Sequence, residues 1–157
     1  MSGRSHTYRV AVEWTGNRGT GTSGYKAYGR DHVIRANGKP DIPGSSDPAF
    51  LGDRRRYNPE DLLVASVSTC HMLWYLHVAS DAGILVTGYT DAPAGTMVED
   101  AKRGGYFTGI TLNPRVTIAA GGDADLARRL HETAHEKCFV ANSVNFPIAC
   151  MATIIVE

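Results

Sequence analysis

The residues of this chain best suited to chemistry are Cys70 and Cys138. Cys70 lies in NPEDLLVASVSTCHMLWYLHVASDAGI (58–84) and Cys138 in LHETAHEKCFVANSVNFPI (130–148). The thiolate is the reactive form, and a free cysteine with a pKa of about 8.5 is only a few per cent ionised at neutral pH. Cys70 stands twelve positions (70 − 58) after Asn58, where a helix should begin, so a helix N-terminus is too distant to lower its pKa. A nucleophilic Cys70 therefore needs a cation from elsewhere, because lowering a thiol pKa by about 2.5 units takes roughly 3.4 kcal/mol of differential stabilisation. An arginine supplies this without losing its own proton, and the candidates are Arg18, Arg30, Arg54, Arg55 and Arg56. No C-x-x-C motif exists, so any disulfide between Cys70 and Cys138 must be made by the fold.

Such thiols need a scaffold, and 157 residues with 43% hydrophobic content suit a single domain, 1–157. Sixteen basic residues balance sixteen acidic ones, which argues against nucleic acid or an anionic membrane as partner. The polar N-terminal stretch reads as neither signal nor anchor, and the apolar run 62–79 is interrupted by Ser, Thr, Cys and His residues that make it too polar for a bilayer span. A cytoplasmic location is expected, and with it reduced, metal-bound or redox-active thiols rather than a structural disulfide framework.

TYRVAVEW, GTGTSGYKAY and HVIRA read as β structure, followed by a loop from Lys39 to Tyr57 in which Pro40, Pro43 and Pro48 should exclude a regular ladder. Asn58 is a good N-cap, Pro59 fits the first helical position, and Glu60 and Asp61 put negative charge where the helix dipole favours it. The apolar residues from Leu62 to Val78 cover nearly every direction around this helix, so it should be buried on most sides, partly by a second subunit. Two strand segments, 84–99 and 105–118, an amphipathic helix capped by Asp123 and a closing strand (145–157) complete the order β-β-β-α-β-β-α-β, an α+β fold. Cys150 falls in the closing strand with Ile148, Ala152 and Ile154 and reads as core.

NPEDLL, the CH after SVST and the later AHEKCFVANSV together resemble the OsmC/Ohr family of osmotically inducible and organic hydroperoxide resistance proteins. The resemblance extends from WTGNRGTGTSGY to the terminal strand. It implies an OsmC-like fold of strongly twisted antiparallel sheets around a central buried helix, in an intertwined homodimer with active sites at the subunit interface. It also implies a thiol peroxidase of stress defence that reduces organic hydroperoxides, with Cys70 as the peroxidatic and Cys138 as the resolving thiol. Glu60 matches the glutamate that orients an arginine against the thiolate, and Arg18 sits where the family carries that arginine. No bound cofactor is implied. The reductant would be an external dithiol, a dihydrolipoyl group on a lipoylated protein.

Two other chemistries fit the same residues. His131, His135 and Cys138 fall at i, i+4 and i+7 on one helix face and, with Cys70 or His71, could hold zinc. Alternatively Cys70 lines an apolar pocket with Met72, Trp74, Tyr75 and Phe139, in a thiol hydrolase or small-ligand-binding protein.

Overall fold

The structure, a computed structural model, describes residues 3–157. It forms two compact units, the first ending at Leu62 and the second running from Leu63 to Glu157.

In the first unit, β1 (Ala11–Trp14), β2 (His32–Arg35) and β3 (Ile42–Gly44) make an antiparallel sheet in that order. Two expectations change here. The glycine-rich segment 19–28 forms turns instead of a strand, and Ile42–Gly44 becomes a strand despite its proline. Pro43 is tolerated because β3 is an edge strand, where one side of the ladder needs no N–H.

The start of α1 (Pro59–Asp81) follows the sequence closely. The Asn58 carboxamide accepts from the Asp61 N–H at 2.7 Å, and the Asp61 carboxylate accepts from the Asn58 N–H at 3.3 Å. This reciprocal bonding satisfies donors that the first turn leaves orphaned. The helix ends where Gly83 takes a left-handed conformation (φ 75°), which lets the Ile84 N–H bond the Ala79 carbonyl at 2.9 Å.

Two mixed sheets and α2 (Ala124–Lys137) complete the second unit. β4 (Val86–Thr90), β7 (Arg115–Ile118) and β9 (Thr153–Val156) form one sheet; β5 (Ala94–Val98), β6 (Tyr106–Leu112) and β8 (Ile148–Cys150) form the other. Each expected segment thus splits into two strands that change sheets, at Asp91–Pro93, at Asn113–Pro114 and at Met151–Ala152. The crossovers from β6 to β8 and from β7 to β9 pair in parallel, so the sheets are not wholly antiparallel. The expected class survives: a mixed α+β fold with two α-helices and several small sheets.

Tyr75, Val78 and Ala79 of α1 pack with Val116 and Ile118 of β7 and Ala127 and Ala134 of α2. A second cluster joins Val67 to Ile110 and Leu112. Within the chain, α1 therefore buries one stripe, while Leu73 stays 63% exposed. Cover on most sides, expected from its composition, is not provided by the described residues. By length and composition α1 could cross a membrane, against the expectation that it is too polar. Its buried stripe, which includes Ser68, His71 and Tyr75, is that of a core helix in a folded unit.

Candidate functional site: a buried dithiol beside a histidine pair

Cys70 is half-buried on α1, and Cys138 is fully buried at the C-terminal cap of α2. The backbone leaves the helix at Cys138 (φ −68°, ψ 110°), which turns its side chain inward, and its sulfur accepts the Ala141 N–H at 3.4 Å. The Cys138 thiol also lies close enough to Cys70 for the two to interact. Residues 68 apart in sequence (138 − 70) thus share one site, and both thiols are free. Burial, and after it the interaction with Cys70, pushes the Cys138 thiol up to about 11.

Trp74, one helical turn beyond Cys70, meets Phe139 edge-to-face with centroids 5.4 Å apart, and Phe139 directly follows Cys138. These two aromatics form an apolar rim beside the dithiol. Tyr75, expected in the same pocket, is instead fully buried in the core, its hydroxyl donating to the Ala127 carbonyl at 3.1 Å.

Glu60 and the candidate arginines belong to the first unit. Glu60 occupies the first turn of α1, so about 15 Å of helical rise separates it from Cys70. Arg18 lines a polar cavity of about 330 Å³ with Arg30, Asp31 and Asp53. Arg30 donates to the Tyr28 and Tyr25 carbonyls at 2.6 and 2.7 Å and lies over both tyrosine rings. Arg55 bonds Asp53, which holds that carboxylate down to about 2, and Arg56 pairs with Asp31 at 3.4 Å.

The metal set expected on α2 is not the one the fold assembles. Among the described residues, His71, His131 and Cys150 bring their donor atoms within 4.8 Å of one another. His71 Nε2 and His131 Nδ1 are 2.9 Å apart, and the Cys150 sulfur is 3.8 Å from His71 Nε2. Cys138 faces Cys70 instead, because the chain has already left the helix at that residue. Burial holds both histidines down to about 4, with the charge of His135 a lesser cause at His71 and that of His71 at His131. Cys150, pushed up to about 11 by burial, was expected to be plain core; it does pack on the Val67 cluster but also meets His71. Local spacing carries no signal for this contact, because 79 residues separate the partners.

Fold and dithiol together define a small α+β protein with two adjacent cysteines on its helices. The family model for OsmC-like protein matches residues 52–151, and the chain belongs to that family, OsmC/Ohr. An OsmC-like protein of unknown function from Vibrio cholerae is 27% identical over 95% of this chain and 100% of its own, with a TM-score of 0.86. The organic hydroperoxide resistance protein OsmC of Legionella pneumophila (16% identity, 98% and 99% coverage, TM-score 0.71) shares the fold. So does OhrB, the organic hydroperoxide resistance protein of Bacillus subtilis (20%, 97% and 98%, 0.61). No curated protein matches the sequence.

Proposed function

We propose that this chain is a redox protein of stress defence, and specifically a thiol peroxidase that reduces organic hydroperoxides. The observation that carries the proposal is the contact between Cys70 and Cys138. In this scheme Cys70, the more exposed of the two thiols, attacks the terminal peroxide oxygen as its thiolate. The O–O bond breaks, the alkoxide takes up a proton and leaves as alcohol, and Cys70 becomes a sulfenic acid. Cys138 then attacks the Cys70 sulfur, the hydroxyl leaves as water, and a disulfide remains. An external dithiol, of the dihydrolipoyl class carried by a lipoylated protein, reduces it and is itself oxidised to a disulfide.

Arg18 stabilises the Cys70 thiolate in this scheme, and Glu60 orients the arginine. The working form is a cytoplasmic homodimer of single-domain subunits with its sites at the interface, and it takes no bound cofactor. Support for the family's peroxide chemistry comes from the Legionella and Bacillus hydroperoxide resistance proteins, which share the fold.

Thiol titration before and after one equivalent of cumene hydroperoxide tests the scheme. Loss of two thiols per chain with release of one equivalent of the alcohol is expected. Unchanged thiols would leave a hydrolase or binding protein instead.

A further inference from the structure

We propose that His71, His131 and Cys150 form a binding site for a zinc-class divalent ion, separate from the Cys70–Cys138 pair. The three residues come from α1, α2 and β8, so the ion would tie together the elements of the second unit.

Geometry is the first support. Zinc bonds of about 2.0–2.1 Å to nitrogen and 2.3 Å to sulfur at tetrahedral angles place two nitrogens roughly 3.4 Å apart and a nitrogen and sulfur roughly 3.6 Å apart. The observed separations are 2.9 Å between the ring nitrogens and 3.8 Å from nitrogen to sulfur. A three-coordinate seat therefore opens when the two nitrogens part by about half an ångström and the sulfur, within 4.8 Å of both, closes toward His131.

Pre-organisation is the second. His131 stacks on Tyr75 with centroids 4.0 Å apart, and Tyr75 is itself anchored through its hydroxyl to the Ala127 carbonyl. His71 and His131 are 1% and 4% exposed, so neither ring can swing into water.

The third is the chemistry of the donors. His71 Nδ1 and His131 Nε2 are buried with no partner. A neutral pair bonded through Nε2 and Nδ1 has one ring carrying its proton toward the other, so one of the two outer nitrogens is a bare buried acceptor. A metal on the inner nitrogens moves that proton to the outer position, so that each outer nitrogen carries an N–H. Two imidazole nitrogens and one thiolate sulfur are the ligand types that suit a borderline cation such as zinc.

Coordination balances simply. The ion bonds both inner nitrogens and the Cys150 sulfur, the S–H bond breaks, and one proton leaves to solvent. His131 and Cys150 also line a cavity of about 790 Å³ together with Glu132, His135 and Glu136. The fourth position is thus left to water or a small anion entering from that cavity, the open arrangement of sites with three protein ligands.

Cobalt(II) titration of the reduced, metal-free protein tests the site. Uptake of one equivalent per chain with a sulfur-to-cobalt charge-transfer band is expected. That band should vanish in Cys150→Ser and persist in Cys70→Ser/Cys138→Ser. Absence of stoichiometric uptake, or a band that survives Cys150→Ser, would overturn the proposal, as would one lost with the Cys70 and Cys138 thiols. A second measurement needs no variant: zinc should slow alkylation of Cys150 in the native protein at least tenfold while the other cysteines react as before, and equal rates with and without zinc would overturn it too.

Discussion

The Cys138 thiol is fully buried beside the half-buried Cys70, and burial favours its protonated form. Its pKa rises from an ordinary 9.0 to about 11, chiefly through burial. At pH 8, Cys70 is therefore expected to be alkylated well before Cys138, as read by peptide mass mapping. Linkage adds a stability effect. Below pH 9 the thiol is protonated in both folded and unfolded chains, whereas between about 9 and 11 the unfolded chain gives up the proton first. Stability should therefore fall as pH rises through that window, and Cys138→Ser should flatten part of the slope in chemical denaturation.

The two thiols should also separate kinetically. Cys70→Ser is expected to abolish hydroperoxide reduction. Cys138→Ser should complete one turnover, then stall as a sulfenic acid or climb to the sulfinic acid. Multiple turnover by Cys70→Ser, followed by alcohol release, would contradict the assignment of attack to Cys70.

Tyr75 joins the core to the histidine pair, so its hydroxyl is open to a mild test. Tyr75→Phe removes the bond to the Ala127 carbonyl while keeping the ring that stacks on His131. A loss of about 1 kcal/mol is expected, the net worth of one neutral hydrogen bond plus part of an unpaired carbonyl. Urea unfolding measures it, and a variant as stable as the parent would mean that water replaces the hydroxyl.

What the sequence disclosed follows the reach of its interactions. The Asn58 and Asp123 caps were legible because a cap is a contact within three residues, and both side chains bond the N–H groups expected of them. The sheet changes at Met151–Ala152 and Asn113–Pro114 were not, because an apolar run carries no mark of which neighbour it will pair with. The Cys70–Cys138 pair was reached through family resemblance alone, because no local spacing links residues that far apart. Cys150 passed for core because its alternation with Ile148 is that of any buried strand; only the fold brings His71 and His131 to it.

Leu73 and Leu76, on the outer side of α1, are 63% and 36% exposed. Each buried apolar Å² contributes about 25 cal/mol, so a second copy covering this face would recover what one chain leaves in water. Light scattering is expected to show a dimer at micromolar concentration, and Leu73→Glu to shift it toward a folded monomer. A well-folded monomeric parent protein would remove the homodimer from the scheme.

Substrate choice and the activating cation can be read in one experiment. Trp74 and Phe139 give the dithiol an apolar rim that a bulky hydroperoxide can cover and hydrogen peroxide cannot. Stopped-flow oxidation should therefore favour cumene hydroperoxide, and Trp74→Ala should narrow the preference by slowing that substrate alone. Arg18 lines an open polar cavity, whereas Arg56 is already paired with Asp31. A charge-assisted hydrogen bond contributes about 1.5–3 kcal/mol, so losing it from the attacking thiolate should slow oxidation roughly ten- to a hundredfold. Arg18→Ala is expected to show that loss with both peroxides and Arg56→Ala to show little. An unchanged rate in Arg18→Ala would transfer the role to Arg30, whose guanidinium would first have to leave the tyrosine rings that now flank it.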